Sequence, residues 1–284
     1  MSADNDSALR WWPAPAKLNL FLHVTGQRAD GYHDLQTLFQ LLDWGDRLRF
    51  QVNDSGRVSR SCNIDGIPES ADISVRAANL LKRHTGVEHG VHIELEKHIP
   101  AGAGLGGGSS DAATVLVALN QLWSCGQTTG QLAALGVELG ADVPVFVHGY
   151  SALAEGKGEK LQAVTLGRRY YVLVFPDFGV STAAVFGHPG LTRDSVPLDM
   201  AKAVLEPGRN DCEAVVMEIY PQLKSVMDDL RNWGQPRMSG TGSTIFLSFD
   251  DKKAAIGAAS ELKCRYNVRP VGGVDRSPLL GRGQ

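Results

Sequence analysis

The sequence predicts an α+β fold in two lobes. Three observations carry that expectation. Segments with the period-2 apolar pattern of strands are interspersed with segments that have the wider stripe of helices. The 284 residues exceed the ~150 expected of one domain, and an apolar share of 43% suffices for a core in each of two. Between one strand pattern and one helix pattern lies a stretch with five glycines in seven residues, Gly102, Gly104, Gly106, Gly107 and Gly108.

Taken in order, Leu18, Leu20, Leu22 and Val24 alternate with Lys17, Asn19, Phe21 and His23, which reads as a half-buried strand with Lys17 and Asn19 on one face. A loop through Gly26, Asp30 and Gly31 leads to Tyr32 and His33, and Leu48, Phe50 and Val52 mark the next strand. Ile73 to His84 reads as a helix capped by Asp72. Val91, Ile93 and Leu95 form the strand that feeds the glycines. Ala112, Ala113, Leu116, Leu119 and Trp123 trace the stripe of a helix opening at about Asp111, with Ser109, Ser110 and Asp111 as candidate caps. Gln131 to Leu139 continues helical, and Asp142 follows as a lone carboxylate among apolar neighbours. A stretch from Gly156 to Arg169, rich in glycine and charge, marks a soft boundary. Beyond it, Tyr171 to Phe175 and Thr244 to Phe249 read as strands, and Pro221 to Trp233 and Asp251 to Cys264 as helices. Asn267 to Val274 is expected as an edge strand. The second lobe is thus a small antiparallel sheet with helices on one face.

The stretch Pro100 to Ala113, P-A-G-A-G-L-G-G-G-S-S-D-A-A, is a phosphate cradle by its chemistry. Residues without a Cβ let several backbone N–H groups converge on one anion, and the following helix points its open N–H groups and positive dipole end the same way. It is not a Walker loop, because no lysine follows these glycines. Gly102, Gly104 and Gly107 satisfy G-x-G-x-x-G, yet no acid occurs between Asp111 and Glu138, where a dinucleotide fold places one. Asp177-Phe178-Gly179 lacks the companion motifs of a protein kinase.

Composition narrows the rest. The formal net charge of −3 supplies no basic face for nucleic acid. The first residues lack a secretory pattern and no run approaches the ~18 apolar residues of a membrane span, so a cytoplasmic protein is expected. Cys62, Cys125, Cys212 and Cys264 are far apart and read as reduced core thiols. The eight histidines form no convincing metal constellation.

Together, Pro13 to Leu22 (P-A-P-A-K-L-N-L-F-L), Asp30 to His33 (D-G-Y-H), the glycine stretch, Leu139 to Phe146 (L-G-A-D-V-P-V-F), Asn210 to Glu213 (N-D-C-E) and Ser239 to Ser243 (S-G-T-G-S) resemble the GHMP kinase superfamily nearly end to end. A-K-L-N-L with D-G-Y-H narrows the resemblance to the branch that acts on a cytidine-diphosphate-linked methylerythritol. The resemblance implies an N-terminal lobe of the ribosomal-protein-S5-domain-2-like type over residues 1–165, which binds ATP, and a ferredoxin-like lobe over 166–284, which contributes to substrate binding. It further implies ATP with magnesium, transfer of a phosphoryl group to the 2-hydroxyl in isoprenoid precursor synthesis, a small-molecule substrate, no nucleic acid or membrane partner, and a monomer or weak homodimer. Another GHMP kinase of the mevalonate, homoserine or sugar type is the alternative.

Carried over residue by residue, the resemblance makes Asp142 and Lys17 catalytic. It makes Lys97, Pro100, Ala101, Gly102, Ala103, Gly104, Leu105, Gly106, Gly107, Gly108, Ser109 and Ser110 the ATP contacts, with Asn19, Tyr32, His33, Asp142, Thr182 and Phe186 facing the substrate. Read locally, Asp142 is equally a helix cap, core packing is nearly as good a reading of Phe186, and Ser239 to Ser243 also reads as a hairpin connection before Thr244. Asp72 and Ser74 border the expected adenine position, Asp111 is a possible magnesium ligand, and the metal ligands stay open.

Overall fold

The computed structural model describes residues 10–61, 68–205 and 208–282. Two long strands, β1 (Trp12–Gln27) and β2 (His33–Asn53), pair as an antiparallel ribbon. Eight more, β3 (Val58–Arg60), β4 (Gly90–Glu96), β5 (Ala152–Gly156), β6 (Lys160–Ala163), β7 (Tyr170–Phe175), β8 (Arg237–Met238), β9 (Ile245–Phe249) and β10 (Asn267–Val274), complete a ten-stranded sheet. One edge of β2 is held by β1, and the other is shared along its length by β5, β10 and β4. The sheet then runs from β10 to β7, β9 and β8, all antiparallel.

Nine helices pack on this sheet among the described residues: α1 (Ile73–Thr85), α2 (Gly107–Leu122), α3 (Thr129–Leu139), α4 (Val143–His148), α5 (Thr182–Gly187), α6 (Met200–Leu205), α7 (Cys212–Ile219), α8 (Gln222–Leu230) and α9 (Lys252–Leu262). Asp72 caps α1 as expected, accepting from the N–H groups of Ser74 and Val75.

Three cores hold the layers together. In the first, Leu81 of α1, Leu116 and Leu119 of α2, Leu135 of α3 and Phe146 of α4 pack on Leu41, Phe50 and Ile93. Burying each large side chain contributes about 1.5–3 kcal/mol. In the second, Val185, Val216, Leu223, Met227 and Leu262 from the C-terminal helices cover Val172, Val174, Ile245 and Leu247. The third lies between the halves, where Leu173, Phe175 and Phe246 meet Leu18, Leu38 and Leu20. The period of two along β7 sends Val172 and Val174 to the helices and Leu173 and Phe175 to the N-terminal half. Helices therefore cover one face of the C-terminal sheet, and the other is buried too.

Several expectations are corrected. Segment Asn267–Val274 is not an edge strand: β10 lies between β7 and β2 and joins the two halves of the sheet. Strand β1 is buried on both faces, because the C-terminal half covers what an isolated ribbon exposes to water. The Gly156 to Arg169 stretch contains a strand, β6, paired to β5. After β10 the chain returns to the first core, where Leu279 is buried and the Ser277 N–H donates to the Gly149 carbonyl at 2.8 Å. Among the described cysteines Cys212 is a buried thiol whose pKa burial pushes up to about 12, Cys125 is half-buried, and Cys264 is exposed instead of lying in a core. Cys62 lies outside the described residues. No described helix is long and apolar enough to cross a membrane.

Candidate active site

Strand β4 delivers the chain into the glycine loop, and α2 opens at Gly107, four residues before the expected start. Its N-cap is Gly106, with φ +72°, and no side chain caps it: Ser109, Ser110 and Asp111 all lie inside the first turns. The first intrahelical bond runs from the Ser110 N–H to the Gly106 carbonyl at 2.8 Å, so the N–H groups of Gly107, Gly108 and Ser109 have no helical partner. A helix start left open in this way is an anion site.

Two glycines are enforced by space as well as by φ. A Cβ on Gly104 (φ +74°) would stand 2.2 Å from the Ser239 carbonyl oxygen, and one on Gly106 would stand 2.9 Å from the Phe146 ring and 3.1 Å from Lys17 Cε. The close neighbour of Gly104 is the second glycine turn, Ser239 to Ser243. Ser239 Oγ donates to the Gly104 carbonyl at 3.0 Å and accepts from the Asn19 N–H at 3.1 Å, while Thr244 N–H donates to the Ala103 carbonyl at 3.3 Å. The turn is thus a brace for the loop and not a plain hairpin connection. Asn210 shapes it in turn, giving its amide hydrogens to the carbonyls of Met238 and Gly240. Asp211 stitches β1 alongside, accepting from the Val24 N–H at 2.8 Å.

Lys17 sits between two register slips of the β1–β2 ribbon, one between Pro15 and Lys17 and one between Asn19 and Leu22. Such bulges re-aim side chains. Lys17 is buried, only 3% exposed, and its ammonium lies 3.3 Å from Asp142 Oδ2 and 3.0 Å from the Gly104 carbonyl, and also donates to Asn19 Oδ1. The Asn19 amide donates to Thr37 Oγ1 at 2.8 Å, which fixes which end of the amide faces the lysine. Asp142 stands at the N-cap position of α4 but makes no capping hydrogen bond; its carboxylate faces Lys17.

The expected ATP-side lysine, Lys97, is held between two buried carboxylates, Asp46 at 2.5 Å and Asp111 at 2.8 Å. Burial pulls its pKa down, and the charges of Asp111 and Asp46 outweigh that and leave it raised. Burial raises the Asp111 carboxyl well above its usual range, with Lys97 opposing. Asp46 also accepts from the N–H groups of His98 and Ile99, so it clamps the chain entering the loop.

At the other end, the His33 ring stacks on Phe186 with centroids 5.3 Å apart, and Arg193 Nε donates to His33 Nε2 at 3.0 Å. The accepting Nε2 places the ring proton on Nδ1. Burial first, and Arg193 second, lower the His33 pKa and keep the ring neutral. Tyr32 is 62% exposed, with the Lys157 ammonium 3.9 Å from its ring centroid. Thr182 shares a 2.9 Å hydrogen bond with Thr241 of the second glycine turn.

One cavity of about 790 Å³ links these groups, and Lys17, Asn19, Tyr32, His33, Lys97, every residue from Pro100 to Ser109, Asp142, Thr182 and Phe186 line it. Ser110 does not; it is fully buried beneath the loop. Asp72 also lines it, while Ser74 is buried as part of the α1 cap. Sequence reasoning missed Asp46, Thr37 and Lys157. An acid inside the apolar run of β2 was a signal for Asp46, whereas Lys157, in a polar turn, gave none. Among the described residues no three His, Cys, Asp or Glu side chains form a metal cluster.

An open helix start facing a carboxylate and an ammonium across one cavity is the arrangement of a small-molecule kinase. Residues 72–150 match the GHMP kinases N terminal domain and residues 196–268 the GHMP kinases C terminal. The chain belongs to the GHMP kinases. It is 47% identical, over a 287-residue alignment covering 98% of both chains, to the 4-diphosphocytidyl-2-C-methyl-D-erythritol kinase of Burkholderia thailandensis, and to the same degree to that of Burkholderia mallei. A crystal structure of a 4-(cytidine 5'-diphospho)-2C-methyl-D-erythritol kinase, 35% identical, superposes with a TM-score of 0.82 over 93% of this chain and 99% of that one. The homoserine kinase of Cytophaga hutchinsonii, 17% identical with a TM-score of 0.66 over 93% of this chain and 96% of that one, shares the fold.

Proposed function

We propose that this protein transfers the γ-phosphoryl group of ATP to the 2-hydroxyl of 4-diphosphocytidyl-2-C-methyl-D-erythritol, as a cytoplasmic enzyme of isoprenoid precursor synthesis. The observation that carries the reading is the Lys17–Asp142 pair, 3.3 Å apart, in one cavity with the open start of α2 and the ring stack of His33 and Phe186. The near end-to-end likeness to the Burkholderia kinases supports the choice of acceptor.

In this reading the phosphates lie on the N–H groups of Gly102 to Ser109, and the acceptor alcohol lies against Asp142. The alcohol oxygen attacks the γ-phosphorus, the bond to the β-bridging oxygen breaks, ADP leaves with the electron pair, and Asp142 takes the hydroxyl proton late. Lys17, paired with Asp142 at 3.3 Å, counters the charge of the moving phosphoryl group. Asn19, held by Thr37, keeps the ammonium in place. Tyr32 and Phe186 supply ring faces for the base, and the His33 Nδ1–H supplies a donor for its edge. Residues 1–165 carry the nucleotide and residues 166–284 contribute Thr182 and Phe186, with β10 common to both lobes.

The donor set suits magnesium, which keeps mostly phosphate and water ligands. Ser109, whose hydroxyl lies near Gly140, and Asp142 are hard oxygen donors at the cradle, and Asp111 has a buried Oδ1 without a hydrogen-bond partner. Bound there, the ion would neutralise charge on the transferring phosphoryl oxygens.

ADP release with ATP and the cytidyl substrate, compared with mevalonate, homoserine and galactose as acceptors, tests the reading. Turnover confined to the cytidyl substrate is expected, with the phosphorylated position read by phosphorus NMR. Turnover of another acceptor at equal kcat/KM would overturn it.

A further inference from the structure

Among the described residues, three ammonium groups line the cavity: Lys17, Lys97 and Lys157. The first two are committed inside the protein, Lys17 to Asp142, Asn19 and the Gly104 carbonyl, and Lys97 to Asp46 and Asp111. Lys157 differs. Its side chain is 33% exposed, its ammonium pairs with Asp30 at 3.0 Å, and Asp30 is itself 45% exposed. Asp30 keeps other partners, the Tyr32 N–H at 3.1 Å and Arg28 at 3.7 Å, so it is not orphaned if the lysine leaves. Such exposed pairs hold weakly and exchange readily.

The place of Lys157 in the cavity matches the order of groups in the proposed acceptor. The ammonium lies over the Tyr32 ring, and the next residue, Gly158, is a neighbour of Ala141: a Cβ on it would be in ordinary contact with the Ala141 carbonyl oxygen at 3.6 Å. Ala141 directly precedes Asp142. The turn between β5 and β6 therefore touches the Tyr32 ring at Lys157 and the residue before Asp142 at Gly158, so Lys157 stands on the stretch of cavity wall that joins the base platform to the acid facing the alcohol. In a cytidine-diphosphate-linked alcohol the diphosphate lies between base and alcohol. His33 is neutral, and Thr182 and Phe186 have uncharged side chains.

Resting on the kinase reading above, we propose that Lys157 is a specificity residue: it swings from Asp30 to the acceptor's diphosphate, and so selects acceptors linked through a nucleoside diphosphate. A diphosphate with two charges, one on each phosphate, replaces one carboxylate that already has a second cation, and the Tyr32 ring keeps the lysine stem over the cavity during the exchange.

The test compares wild type, Lys157→Met and Lys157→Arg. In Lys157→Met the KM for the cytidyl substrate rises about ten- to hundredfold, as loss of one charge-assisted phosphate contact implies, while the KM for ATP stays within about twofold and kcat falls less than KM rises. Calorimetric titration with CDP and with cytidine reads the assignment without turnover: the preference of wild type for CDP over cytidine shrinks in Lys157→Met and returns in Lys157→Arg. An unchanged CDP-to-cytidine ratio in Lys157→Met overturns the assignment, as does an equal rise in KM for ATP. If wild type prefers CDP through Lys157 yet does not phosphorylate the cytidyl substrate, the kinase reading fails and the diphosphate assignment stands.

Discussion

Lys17→Met separates charge from shape at the centre of the site. The thioether matches the length of the lysine stem, and the Phe39 ring near the ammonium and the Phe146 ring beside Gly106 give it apolar neighbours. Three contacts are lost: the ion pair to Asp142 and the donations to Asn19 Oδ1 and the Gly104 carbonyl. Removing one partner of a fully buried pair costs about 3–5 kcal/mol because the other charge is stranded. Here Asp142 is 32% exposed and water takes over its carboxylate, while the cost of burying an ammonium disappears. The net change in stability is expected within about 2 kcal/mol of zero, a shift of at most about 8 °C for a chain of this size. Transfer should suffer far more, since losing one preorganised charge-stabilising donor costs about 2.7–4 kcal/mol, or 10²- to 10³-fold in kcat. Stopped assays of ADP release and thermal melts on the same preparation measure both. A kcat within about tenfold of wild type refutes the role given to the ammonium, and a collapse of the fold refutes the account of what holds it.

Gly104→Ala should cost more than about 3 kcal/mol and abolish ATP binding, because its Cβ meets the Ser239 carbonyl at 2.2 Å in a left-handed backbone; a melt and nucleotide titration decide this. Phe186→Ala should raise KM for the cytidyl substrate about tenfold, the equivalent of one stacked base, and leave KM for ATP alone. Asp46→Ala leaves the N–H groups of His98 and Ile99 and the Lys97 ammonium short of a partner, so a loss of about 3–5 kcal/mol is expected with a higher KM for ATP, checked by denaturant unfolding and kinetics. Burial lowers the pKa values of His23, His33 and His148, with Asp211 opposing at His23 and Arg193 assisting at His33. Their unfolded forms then bind protons first, so stability is full above about pH 6.5, falls as pH drops through that value, and levels off below the folded pKa values. Melts from pH 8 to 5 should show this, and His148→Gln should flatten the curve.

Local chemistry carried much of the site into the sequence. A glycine cluster before a helix is dictated by close approach, and Lys17 and Asn19 share a face because strands repeat every two residues, so both were open to inspection. What sequence patterns hid is long-range. The alternation along β1 says nothing of a second half that covers its outer face. Asp46 reads as a stray acid until the backbone brings His98 and Ile99 to it. The helix start was misplaced because serine and aspartate resemble caps, whereas Gly106 leaves the N–H groups open. For Asn267–Val274 the apolar pattern is weak, a position at the end of the chain favoured an edge, and only pairing with both β2 and β7 shows otherwise.

That last strand orders events during synthesis. Domains emerging from the ribosome fold as units, N-terminal first, yet the seam between β2 and β7 stays unzipped until residues 267–274 are translated. The glycine loop and its brace at Ser239 to Ser243 are both made before the strand that joins the molecule, and a message interrupted between them and that strand yields two half-sheets with raw edges of the kind that recruit one another into aggregates.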